Sequence, residues 1–311
     1  MTSIAVSFGG TPPPRAARRP LSPLQWTIVG ACAIPLWATW PSLALHTVAV
    51  PPLEVLSIAF LCGWVSFTLL HARLPVPATP DRRSLRAWVP AVVFGGALCG
   101  GDLCFLLALH RVPAAQANLL SYLWPVMIVV MGASVGLFRL RARQVLGLGL
   151  GFSGAAILIW DGHVVLSVSG IVLALASGAL WAGYCVFRLL WHGPTGNLLA
   201  RGCAIAAVLA AALHLLLEPT VLPDKLALTA IVVAGLFALG VGNFLWDEGF
   251  RRGDSQLLAV MAYATPLGSA LLLTAWGAAT LTWNLLVGAL VIVCAGILSR
   301  SMTPTEDAPA H

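Results

Sequence analysis

GDLCFLLALHRVPAAQANLLSYLWP, residues 101–125, and GNFLWDEGFRRGDSQLLAVMAYATP, residues 242–266, are two versions of one pattern. Laid over each other without a gap, they pair Gly101 with Gly242, Asp102 with Asn243, Arg111 with Arg252, Tyr122 with Tyr263 and Pro125 with Pro266. The same register continues to Gly136/Gly277 and Gly147/Gly288. Leu and Ala coincide easily between apolar stretches, whereas a shared Tyr-x-x-Pro and a shared loop arginine do not. A weaker match sets IPLWATW, residues 34–40, on GALWAGY, residues 178–184. The chain reads as an internal duplication.

Working outward from the duplicated block, apolar runs between charged or proline-containing breaks predict helices near 24–44, 54–71, 88–110, 113–137, 143–160, 169–190, 198–217, 226–250, 255–275 and 282–299. A span of about 20 residues crosses a hydrocarbon core about 30 Å thick at a rise of 1.5 Å per residue. With 59% hydrophobic and 9% charged residues in 311, the chain leaves no room for a soluble domain. Five spans separate the two copies, and five is odd, so equivalent segments cross in opposite directions. The expectation is an all-α polytopic membrane protein, with ten transmembrane helices in two inverted five-helix repeats. Their limits are 24–160 and 161–300, between tails at 1–23 and 301–311. The first tail, rich in Pro and Arg, reads as disordered, with no cleavage pattern of a signal peptide.

Charge fixes the orientation. With the N-terminus in the cytoplasm, fifteen of the 17 basic residues fall on the cytoplasmic side, among them Arg83, Arg141 and Arg252. Only Arg111 and Lys225 fall outside. This is the asymmetry of a bacterial inner-membrane protein with both termini cytoplasmic. The net charge of +6 therefore reports orientation, and a nucleic-acid partner, which needs a continuous basic face, is not expected.

Inverted repeats build a binding site near the midplane and work by alternating access, which is a transporter's architecture. Polar groups in hydrocarbon are costly, so they mark such a site. Asp102 is the acid placed deep in a span, with Asn243 as its repeat partner and Asn118 nearby in sequence. Trp37 and Trp40, Trp181 and Tyr184, and Asn243 and Trp246 are each spaced i, i+3 and share a helix face. Tyr122 and Tyr263 lie mid-span. These ten residues form the predicted substrate site, an aromatic chamber that takes flat apolar groups by stacking. Pro35, Pro41, Pro125 and Pro266 interrupt spans and are the predicted hinges or gates. Glu54 is expected to cap the second span, and Asp247 and Glu248 to pair with Arg251 or Arg252.

Competing chemistry is weak. GASVG (132–136) and GFSGA (151–155) match serine-hydrolase patterns, but the first lies within a helix and Ser153 has no mid-span His partner. Close helix packing explains these glycines better. The seven cysteines form neither a CxxC nor a Cys/His cluster, so no metal site, disulfide framework or cofactor is expected, and no GxxxxGK[ST] occurs for ATP. The expected partners are a small-molecule substrate and the bilayer, and nothing in the sequence asks for more than a monomer.

The span plan, the five-span repeat, and the run in each half through a central Pro to a Gly-rich last span resemble the EamA type of the drug/metabolite transporter superfamily. Pro35, Trp37, Trp40 and the 101–125 block are similar to its aromatic amino-acid exporters. The superfamily often carries a Glu after the fourth and ninth spans. Here FRLRAR (138–143) and AATLTW (278–283) hold no acid, and no such role is carried over. The resemblance implies export of aromatic or hydrophobic amino acids, with a multidrug or other metabolite exporter as the alternative. A drug-cation/proton antiporter would carry an acid deep in its first span, and residues 24–44 have none. Uniport and proton coupling through Asp102 both stay open.

Overall fold

The computed structural model of the chain describes residues 21–73, 85–137, 142–159, 167–191, 197–253, 258, 261–262, 264–278 and 280–299, and among them there is no β-strand. Among the described residues, seven stretches are long and apolar enough to cross a membrane: Pro23–Leu45, Pro52–Leu70, Val89–Leu109, Ala114–Ser134, Val168–Arg188, Leu198–Leu217 and Lys225–Gly249. The tails, and Tyr263 among the candidate site residues, lie outside the described residues.

The first expected span is two helices, α1 (Pro23–Ala31) and α2 (Ala33–Leu45). Pro35 has no N–H to give the carbonyl four residues back, which belongs to Ala31, the last residue of α1. The fourth span breaks by the same rule into α5 (Ala114–Ser121) and α6 (Trp124–Ser134), because Pro125 cannot donate to Ser121. The freed Ser121 carbonyl lies against Gly178 of α8 (Val168–Leu190), too close to admit a Cβ there. Ser121 Oγ also donates to Ser177 Oγ at 3.2 Å. A proline-broken helix is thus stitched to its neighbour.

The remaining long helices are α3 (Pro52–Arg73), α4 (Val89–Leu109), α7 (Ala142–Ile159) and α9 (Leu198–Leu217). The eighth span starts as α10 (Lys225–Val233), whose first turn is capped by Asp224 Oδ1 accepting from Ala227 N at 2.7 Å. It widens into a π-helix over Ala234–Gly242 and resumes as α11 (Asn243–Arg252). Gly235 and Gly240, five residues apart as the i→i+5 winding requires, both face α3, one on Ala59 and one on Ser66. Ser66 Oγ donates to the Leu236 carbonyl at 3.0 Å. Two shorter apolar helices follow, α12 (Ala264–Ala275) and α13 (Trp283–Ser299).

Packing pairs the two parts of the chain. Helix α4 packs on α8, as α11 packs on α1 and the π-helix on α2; α4 packs on α9, as the π-helix packs on α3. Helices α5 and α6 pack on α8, as α12 packs on α2, while α3 meets α9 and α7 meets α13. Local geometry repeats too. Gly136 and Gly277, 141 residues apart in the sequence alignment, have φ of 79° and 71°. Each ends its helix in a Schellman turn, with Leu137 N on Gly132 O at 2.8 Å and Ala278 N on Leu273 O at 2.9 Å.

A buried polar cluster ties α3 to α9. Glu54 was expected to cap its own helix; instead its Oε2 accepts from Val221 N at 3.0 Å. The cap of α3 comes from Glu218, whose Oε1 and Oε2 accept from Leu53 N at 3.3 and 3.1 Å. Between the two carboxylates lies His214, with Nδ1 3.1 Å from Glu218 Oε2 and Nε2 3.1 Å from Thr220 Oγ1. The cap fits the helix N-terminus, where orphan N–H groups favour a negative charge.

Candidate functional site

Where α2, α4, the α5–α6 junction, α8 and the π-helix converge they leave a chamber of about 820 Å³ of empty space, open solvent at its mouth included. Trp37, Trp40 and Pro41 line it from α2, and Asp102 and Phe105 from α4. Asn118, Ser121, Tyr122 and Trp124 come from the α5–α6 junction, Ser177, Gly178 and Trp181 from α8, and Leu239 and Asn243 from the eighth span.

Each side chain is placed by a local feature. The Pro125 break turns Tyr122 and Trp124 into the chamber beside the Ser121–Ser177 contact. Helix α2 keeps Trp37 and Trp40 on one face, as the i, i+3 spacing predicts. Trp40 faces Phe105 with ring centroids 6.4 Å apart. Asn243 stands where the π-helix returns to α, and its Nδ2 donates to Leu239 O at 2.9 Å, which leaves Oδ1 as its free acceptor.

Asp102 is the charged side chain of this wall. Among the described residues no Lys, Arg or His comes within ion-pair distance of it. The Trp40 indole is its polar neighbour, yet Trp40 Nε1 stops short of a hydrogen bond. Asn118 Nδ2, also in the wall, has no partner either. Unsatisfied buried donors, and a half-buried carboxyl group without a counter-charge, are expensive in a folded chain. Their coincidence around one space marks a place for a polar ligand.

Of the ten substrate residues read from sequence, seven line the chamber: Trp37, Trp40, Asp102, Asn118, Tyr122, Trp181 and Asn243. Two do not. Tyr184 is buried behind the wall, its ring centroid 4.9 Å from Phe94 and 5.4 Å from Trp181. Trp246 packs on Trp37 at 5.0 Å, one layer outside. The i, i+3 rule puts both on the correct stripe, but each lies a turn too far along its helix. Of the prolines, Pro41 lines the chamber, Pro266 is buried away from it, and Pro35 is exposed. Phe105, Trp124 and the Ser121–Ser177 pair are wall residues that the sequence reading missed. Trp124 carries a signal in retrospect, since it precedes the proline that breaks the span.

Ser153 Oγ is exposed and donates to Gly149 O of its own helix at 2.9 Å. Arg252, as expected, pairs with Glu248 at 2.9 Å, and it also stacks over Trp26 at 4.6 Å.

A multi-pass helical chain with a chamber walled from both its parts has the architecture of a membrane transporter. The comparisons with known proteins make the class specific. The EamA-like transporter family matches residues 24–160 and 168–301, and the chain belongs to that family, within the drug/metabolite transporter superfamily. It is 32% identical over 284 residues to the aromatic amino acid exporter YddG of Ancylobacter novellus, covering 90% of this chain and 96% of that protein. The YddG of Salmonella typhimurium is 23% identical, over 88% of this chain and 95% of that one. A probable biotin transporter of Pseudomonas aeruginosa is 28% identical, over 75% and 85% respectively. A solved crystal structure, 31% identical, superposes with a TM-score of 0.70 over 89% of this chain and 99% of its own.

Proposed function

We propose that this protein exports aromatic and hydrophobic amino acids across a bacterial inner membrane by alternating access. The observation that carries the reading is the chamber itself: Trp37, Trp40, Phe105, Tyr122, Trp124 and Trp181 around one carboxylate, Asp102. Aromatic faces stack on a substrate ring, each pair adding about 0.5–1.5 kcal/mol beyond the area buried. Asp102 and Asn243 Oδ1 are acceptors for the ammonium, and Asn118 Nδ2 and Trp40 Nε1 are donors for the carboxylate. The YddG relatives, exporters of aromatic amino acids by name, support this assignment.

In this reading α7, residues 255–275 and α13 complete ten spans in two inverted five-helix repeats, 24–160 and 161–300, with both termini in the cytoplasm. The matched packing pairs and the twin Schellman turns at Gly136 and Gly277 support the repeat. The arginine asymmetry supports the orientation. Tyr122 and Tyr263, equivalent in sequence, both serve the substrate site, Tyr184 and Trp246 form the second layer, and Pro35, Pro41, Pro125 and Pro266 are the hinges or gates. Both walls come from one chain, so a monomer suffices.

The test is counterflow in proteoliposomes with a panel of amino acids, comparing wild type with Trp181→Ala. Phe and Trp flux should fall about three- to tenfold, as expected for losing one stacking partner, while Ala and Thr flux changes little. Equal losses for both classes at normal protein levels would reject the aromatic wall, and absence of any amino-acid flux in wild type would reject the function.

A further inference from the structure

The chamber's charge is one-sided. Asp102 sits in its wall with no cationic side chain among the other lining residues and none within ion-pair distance among the described residues. The nearest cation along α8 is Arg188, seven residues beyond Trp181 and so about 10 Å further along the axis at 1.5 Å per residue. It lies beside Tyr184, in the second layer, and Asp247 is close to the same hydroxyl. Asn243 gives one N–H of Nδ2 to Leu239 O; its second N–H and its Oδ1 are neutral dipoles, so it brings no charge to the chamber. The donors without a partner, Asn118 Nδ2 and Trp40 Nε1, are neutral.

A zwitterion therefore meets an acidic side chain at its ammonium and only neutral dipoles at its carboxylate. A carboxylate within a membrane span needs a counter-charge, while neutral donors left without a carboxylate can be served by water. We propose that the ammonium is the obligatory handle and the carboxylate a dispensable one, so that the chamber also takes arylalkylamines, an aromatic ring on a short chain ending in a protonated amine. The inference rests on the aromatic amino-acid reading of the same site and extends it to substrates which that reading does not include. Stacking on the Trp and Phe faces is the same for both classes, and Asp102 pairs with either ammonium.

Three ligands sharing one ring separate the handles: phenylalanine, phenethylamine and 3-phenylpropionate, titrated calorimetrically into the purified full-length protein in lipid nanodiscs. Binding is read in place of flux because uncharged amines cross bilayers unaided. Phenethylamine should bind within about threefold of phenylalanine, and 3-phenylpropionate at least about thirtyfold more weakly. Asp102→Asn should weaken phenylalanine and phenethylamine together by about tenfold or more and narrow the gap to 3-phenylpropionate. The wild-type ranking decides the matter even if that variant does not fold. Phenylalanine binding while phenethylamine fails overturns this inference and leaves the export of amino acids standing. Failure of phenylalanine itself strikes the export reading instead.

Discussion

Helix α4 and the rod built from α10, the π-helix and α11 carry the same sequence pattern on different backbones. Residues 93–101 of α4 are regular α-helix, while their counterparts at 234–242 are π-wound. The neighbours explain the difference. Helix α4 meets α9 through Gly95, which lies against the Gly202 carbonyl and Ile205. Its counterpart meets α3 through Gly235 and Gly240, which align with Phe94 and Cys99 rather than with Gly95. Two glycines five apart reach one neighbour together only if the helix widens by a residue per turn. The order of contacts is thus matched between the two stretches, while the placement of the glycines, and with it the winding, differs. The same divergence separates Asp102 from Asn243: one copy offers the chamber a charge, the other a neutral acceptor at a π/α junction.

The comparison can be broken outright by topology. Single cysteines replacing Arg111 and Arg252, in a background without other cysteines, should be labelled by an impermeant reagent from opposite faces of the membrane, an all-or-none difference. Labelling of both from one face would remove the inverted relation between the copies.

A second test uses a position where the copies differ by one methyl group. Gly249 of α11 abuts the backbone of Gly30 in α1, so closely that a Cβ would overlap Gly30, while its counterpart in α4 is Ala108, fully buried. Gly249→Ala should destabilise by about 2–3 kcal/mol through overpacking. Ala108→Gly should cost only about 1 kcal/mol. Thermal unfolding in detergent ranks the two, and equal shifts would mean that the α1–α11 seam can relax.

The smallest effect belongs to the paired arginines. Arg252 stacks on Trp26 and pairs with Glu248, with 38% of its side chain exposed; Arg111 is exposed and only donates from Nη1 to Leu107 O at 2.8 Å. Arg252→Gln should lower stability by about 0.5–1 kcal/mol at low salt, Arg111→Gln by less. The ordering, read by the same thermal measurement, matters more than the size.

Much of this was legible beforehand because membrane spans announce themselves by length and hydrophobicity, and because proline acts locally. The breaks at Ala31 and Ser121 fall four residues before Pro35 and Pro125, where a missing N–H must leave them. Seven of the ten proposed site residues line the chamber because i, i+3 spacing fixes a face. What it cannot fix is depth along the axis, and Tyr184 and Trp246 miss for that reason. The π-helix was illegible because it depends on which glycines meet α3, a fact of tertiary packing. So was the cluster around His214, whose carboxylates come from distant helices and each look, in sequence, like an ordinary helix-end acid.

That cluster bears on how the protein is made. The N–H of Leu53 is capped by a carboxylate 165 residues further along the chain, and Val221 N by one that lies 167 residues earlier. At a synthesis rate of about 5–20 residues per second, the start of α3 waits on the order of ten seconds in the membrane before Glu218 exists to receive it. During that interval the carboxylate that caps Leu53 N has not been made. The reciprocal caps make the joining of the halves a late step of biogenesis, and a nascent chain stalled before Glu218 would present an open helix end for quality control to recognise.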